Sequence, residues 1–115
     1  MSLYNWSAVP EEKMNPLFTR RVIHTERMTI ARLRISKGAV VPLHHHENEQ
    51  VSMVETGSLR FELDGKEIMV GAGDSLVIPP NVPHMVEATE DCLVTDLFTP
   101  RREDWIAGDD GYLRK

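Results

Sequence analysis

A single cysteine, Cys92, stands among 115 residues, so no disulfide can form within the chain. That fits a reducing compartment. No apolar run approaches the ~20 residues that a membrane-spanning helix needs. The opening stretch, MSLYNWSAVPEEK, lacks a basic region followed by an apolar one, so it does not read as a secretory signal. The expected location is the cytoplasm, with no membrane partner. A cationic surplus is missing too. The net charge is −5, and no basic run or stripe offsets it, which argues against a nucleic-acid partner. An anionic small substrate stays open but would need a locally positive pocket. Repeats, low-complexity tracts, linkers and convincing helical periodicity are also absent. EDWIAG near the end allows one helical turn at most.

What is present is ordinary for a globular protein: 41% hydrophobic and 27% charged residues, in a length that suits one domain with a modest core. From Phe18 onward, short segments rich in β-branched and apolar residues alternate with turn residues. FTRRVIH, RMTIARLRI, QVSMVET and CLVTDLF read as strands. In SLRFEL, Leu59, Phe61 and Leu63 alternate with Arg60 and Glu62, the period of a half-buried strand. Asp64-Gly65 marks a tight hairpin, and GAGD and PPNVP are further turns. Turn signals every eight to twelve residues predict an all-β sandwich or barrel. Residues 1–20 are expected to form an N-terminal arm, 21–100 the barrel and 101–115 a C-terminal tail. Met53, Met69 and Met85 read as core filling.

Residues 44–50 read HHHENEQ. If residues 40–46 form a strand, His44 and His46 share one face and His45 points away. A tight turn over Glu47–Glu49 would start the next strand at Gln50 and let Gln50 face back toward the two histidines. On the same alternation Glu47 and Glu49 are solvated turn acids. A fourth ligand must come from elsewhere. His84, after the rigid turn PPNVP, is the leading candidate, and His24 has no such setting. Alone, a His-x-His pair is also what a surface histidine cluster looks like.

The spacing carries more. Gly38, five residues, His44, one residue, His46, three residues, Gln50, six residues, Gly57 is one pattern; Gly73, five residues, Pro79, four residues, His84 is another. Together they resemble the two signature motifs of the cupin superfamily, over about residues 30–98. The resemblance implies a single-domain cupin, a double-stranded β-helix or jelly-roll barrel. It also implies a divalent transition metal held by His44, His46, Gln50 and His84. Gln50 stands where cupins usually carry a glutamate, Asn81 where the motif has glycine, and Ala88 where it ends in asparagine. Asparagine tolerates positive φ, and glutamine still offers a carbonyl oxygen. Three imidazoles and an amide leave the ion's charge uncompensated, which favours Lewis-acid chemistry on anionic ligands. Ni, Zn, Fe, Mn and Co all suit such donors.

A second constellation lies in CLVTDLFTPRREDWI. Both faces of this strand carry apolar residues, so it is expected to be buried on both sides, with Asp96 a carboxylate among them. Lone buried acids are costly and are found as structural ion pairs or as acid/base groups with shifted pKa. The run Asp96, Phe98, Pro100, Arg102, Glu103, Asp104 resembles the cupins called pectin degradation proteins, as does the IPPNVPH turn. That resemblance implies an enzyme that opens 4,5-unsaturated monouronates, from pectin or alginate breakdown, to linear keto-uronates. Asp96 would shuttle the proton that converts the enol ether, through a hemiketal, to the open ketone. Arg102 would hold the substrate carboxylate in a two-pronged grip, and Phe98 would pack on the sugar. The substrate is then a small anionic sugar acid. A homodimer is also implied, with Trp6 and Trp105 candidates for its interface or, for Trp105, for the barrel mouth. Competing readings are another metal-dependent cupin enzyme, a dioxygenase or hydroxynitrile lyase, and a non-catalytic sugar- or acid-binding cupin.

Overall fold

A computed structural model describes residues 1–115. From Phe18 onward its strands fall where alternation and turn residues place them, while Glu12–Asn15, within the expected arm, adds one more strand to a sheet. The strands are β1 (Glu12–Asn15), β2 (Phe18–His24), β3 (Thr29–Ile35), β4 (Val40–His44), β5 (Glu49–Thr56), β6 (Ser58–Leu63), β7 (Lys66–Gly71), β8 (Ser75–Ile78), β9 (His84–Ala88) and β10 (Cys92–Thr99). One helical turn, α1 (Glu103–Ile106), and a 3-10 turn at Gly111–Leu113 follow. Asp64 and Gly65 take positive φ, 49° and 77°, as a two-residue hairpin turn between β6 and β7 requires. Asn81 also sits at positive φ, 64°, where the motif has glycine. Gly57 sits at φ 85°, and a Cβ there would run into the Asp91 carbonyl.

Two antiparallel sheets face each other. One orders β1-β2-β3-β10-β5-β8 and the other β4-β9-β6-β7. Their inner faces interdigitate through Leu33, Val54, Leu59, Phe61, Ile78 and Val94, all buried, the arrangement of a jelly-roll barrel. No helix is long and apolar enough to cross a membrane.

β10 sits between β3 and β5, and its register sets the site. Asp96 lies opposite Ser52 and Ala31, and Phe98 opposite Gln50 and Thr29. Across the barrel, His44 at the end of β4 pairs directly with His84 at the start of β9. The outer face of the six-stranded sheet carries a row in register: Ile23, Ile30, Leu97, Val51 and Val77. Exposure rises along it, from buried Ile23 to exposed Val77.

Three expectations need correction. β10 is buried on one face only: Val94, Asp96 and Phe98 are buried, whereas Leu93, Thr95 and Leu97 are half-buried because no layer covers that side. β4 ends at His44 after an irregularity between Val41 and His44, so His46 lies in the turn rather than on the strand. None of Met53, Met69 and Met85 fills the core: Met53 and Met85 are half-buried and Met69 is 53% exposed, because all three sit on outward faces of their strands.

Candidate metal centre

Two elements and one turn converge at the barrel mouth. β4 and β9 bring His44 and His84 side by side, with ring centroids 4.2 Å apart. The turn folds His46 back to 5.0 Å from His84 and 5.7 Å from His44. One ring nitrogen from each lies within 4.8 Å of the others, close enough to share one ion. His45, Glu47 and Glu49 are exposed.

The orientation of each ring is fixed by a backbone carbonyl close in sequence. His44 Nδ1 lies 2.6 Å from the Pro42 carbonyl, His46 Nδ1 3.0 Å from that of Asn48, and His84 Nδ1 2.8 Å from that of Val82. A carbonyl only accepts, so each Nδ1 carries the proton and each Nε2 keeps its lone pair. Such outer hydrogen bonds are what orient metal-binding imidazoles. His84 Nε2 is buried with no partner in the chain.

Gln50 sharpens the point. Its amide Nε2 donates to Ser52 Oγ at 2.9 Å and reaches Asp96 Oδ2 at 3.4 Å. That fixes the amide with Oε1 toward His46 Nε2, 3.1 Å away. His46 has already spent its proton on Asn48, so two lone pairs meet. A cation between them resolves the conflict. Protonation of His46 does not, because burial and Arg102 bring its pKa down to about 4. Burial likewise lowers His44 to about 4, and lowers His84. The residues fit a divalent transition metal: three neutral imidazoles and an amide oxygen, with no carboxylate among them.

Asp96 lines the same cavity as His44, His84, Gln50 and Arg102. Its Oδ1 is buried without a partner. Burial raises its pKa to about 6, against the opposing pull of Ser52 and Arg102. Phe98 stands edge-on to His46, centroids 5.8 Å apart, and against Trp105 at 5.1 Å. Trp105, itself buried, lines the same cavity. Arg102 is 1% exposed, with its guanidinium 4.8 Å from the Phe98 ring and 4.4 Å from that of Trp105. Its two-pronged grip is engaged within the chain: Nε and Nη2 meet the Asp104 carboxylate at 3.0 and 2.7 Å. His24 is outside the cluster, its Nδ1 2.8 Å from Thr29 Oγ1.

Several residues of the site gave no signal in the sequence. Asn48 is buried in the turn between the ligands, and its side chain donates to the carbonyls of Pro100 and Arg101. The Thr29 hydroxyl accepts from the Arg102 amide at 2.8 Å. Tyr112 packs on His44, centroids 4.9 Å apart, and its hydroxyl accepts from Arg102. The tail that carries it is pinned by the buried pair Arg20–Asp110 and by Asn15, which donates to the Leu113 carbonyl. The cavity left beneath measures about 50 Å³, room for a few waters.

Comparison with known proteins agrees with this architecture. The family model described as Cupin domain matches residues 31–98. The pectin degradation protein KdgF of Dickeya dadantii is 25% identical over 100 residues, 84% of this chain and 91% of that one. The solved structure of KdgF from a Halomonas species is 31% identical, with a TM-score of 0.84, and the match covers 91% of this chain and 98% of the other. An oxalate-binding protein of Thermotoga maritima is 29% identical over 80 residues, 69% of this chain and 66% of that one.

Proposed function

The chain belongs to the cupin family, and on that premise we propose that it is a metal-dependent enzyme opening the ring of a 4,5-unsaturated monouronate to a linear keto-uronate. The observation that carries the reading is Asp96. A buried carboxyl with a pKa of about 6 lies one hydrogen bond from Gln50, in the cavity lined by His44, His84 and the buried Arg102. The likeness to pectin degradation proteins supports it.

The net change is an isomerisation. The bond from the anomeric carbon to the ring oxygen opens directly, without the hemiketal that the resemblance implies. A carbonyl forms at that carbon and another at the former enol-ether carbon, and a proton ends on the neighbouring alkene carbon. His44, His46, Gln50 and His84 would hold the ion, which supplies a Lewis acid uncompensated by any anionic ligand. Asp96, its carboxyl held above the ordinary range by burial, takes the proton from oxygen and returns it to carbon. Phe98 and Trp105 exclude water from the ring. Arg102 supplies the positive field that a protein of net charge −5 otherwise lacks.

The test uses metal-loaded protein and the unsaturated monouronate released by a pectin or alginate lyase. The expected result is loss of the ultraviolet absorbance of the 4,5 double bond, far above the spontaneous rate and abolished by a chelator. No acceleration overturns the reading. A second reading, binding of a small carboxylic acid without turnover, is favoured by the narrow cavity and the oxalate-binding relative. Oxalate binding by the loaded protein, with no loss of absorbance, would support it instead.

A further inference from the structure

Asp104 occupies Nε and one side of Nη2 on Arg102. The planar guanidinium then has one end left. There, the second Nη2 proton goes to Tyr112 Oη at 2.6 Å, and the parallel proton of Nη1 has no partner in the chain. Tyr112 Oη receives a second donor, Trp105 Nε1, at 3.4 Å. Both hydrogen bonds at this hydroxyl are accepted ones, so its own proton is donated to nothing in the protein. Tyr112 lines the cavity with His44 and Asp96, its ring on that of His44.

We propose that Tyr112 is a substrate-contacting residue: its hydroxyl and Arg102 Nη1 together grip the substrate carboxylate. The tyrosine takes the Nη2 proton of the remaining fork and offers its own hydroxyl proton as the second prong beside Nη1. The role rests on the uronate reading of the site. Asp104 becomes the residue that aims Arg102, and specificity for an acid over a neutral sugar is divided between tail and barrel.

The experiment is calorimetric titration of metal-loaded protein with galacturonate and, separately, galactose, alongside turnover of the unsaturated monouronate. Tyr112→Phe keeps the ring on His44 and removes the hydroxyl, which is the proposed donor to the substrate and also the acceptor for Arg102 Nη2 and Trp105 Nε1. The expected result is galacturonate binding weakened about ten-fold or more, as for a lost hydrogen bond to a charged group. KM should rise by a similar factor, with galactose binding and metal content unchanged. A residue acting only through Arg102 would lose its effect once Arg102 is altered. The loss is therefore expected to persist in an Arg102→Lys background; if that background does not fold, Tyr112→Phe alone decides. Unchanged galacturonate binding, an equal loss for galactose, or a loss that vanishes with Arg102→Lys overturns the proposal. Tyrosine-dependent binding of galacturonate without turnover would sink the ring-opening reading and leave this one standing. Turnover with an unchanged KM in Tyr112→Phe would do the reverse.

Discussion

At the scale of single residues, the burial of Asp96 costs stability. Its carboxyl has a pKa of about 6 when buried and close to 3.9 in an unfolded chain. Both states are protonated at low pH, so the penalty is absent below about pH 4; it grows as pH rises and is complete above about 6. Asp96→Asn should therefore stabilise metal-free protein by up to about 3 kcal/mol at pH 7.5 and by less than about 1 kcal/mol at pH 4.5. Thermal melts at the two pH values read this directly. Asp96→Ala should abolish turnover with metal content unchanged; parallel loss of both would remove Asp96 from the chemistry. The histidines run the other way. A depressed pKa keeps the lone pair available at lower pH, and His44 and His46 sit near 4. Metal should stay bound at pH 5, where an ordinary imidazole is mostly protonated, and leave only at lower pH. Metal content after dialysis across that range checks it.

At the scale of elements, the turn between β4 and β5 does two jobs. The Asn48 carbonyl orients His46, while its side chain ties the turn to the segment that launches Arg102. Asn48→Ala keeps the first and loses the second, leaving the Pro100 and Arg101 carbonyls without that partner. A destabilisation of about 1–3 kcal/mol is expected, with turnover falling more than metal affinity. Unchanged melting would show the tie to be idle. Such a residue is hard to read from sequence, since alternation puts Asn48 in a polar turn and only the closed barrel brings Pro100 to it. The strands themselves were legible, because alternation such as Leu59, Phe61, Leu63 and turns such as Asp64-Gly65 are local signals. The approach of His44, His46 and His84 was legible through spacing, although His46 arrives by a turn and not by the strand face first expected. Tyr112 gave no signal in the sequence, and Trp105 was left between the barrel mouth and an interface. Their segment has no period, and their positions depend on long-range anchors such as Arg20–Asp110.

At the scale of the whole molecule, the outer row of Ile30, Leu97, Val51 and Val77 is apolar, continuous and progressively bare. A second copy packed on it would account for that row and for the expected homodimer. Light scattering should give twice the 13.1 kDa chain mass, and Val77→Glu should return it to one chain with metal binding intact. A monomer in the wild type would leave the row unexplained. One consequence of the three Nδ1–carbonyl bonds concerns supply. Each imidazole is aimed by a carbonyl within two residues along the chain, so the aperture exists before any ion arrives. A pre-set nest of neutral nitrogens and one amide oxygen ranks divalent ions by intrinsic affinity, with copper and nickel ahead of manganese. The ion recovered with the protein will then record the growth medium, and only turnover with each metal in turn will show which one the chemistry uses.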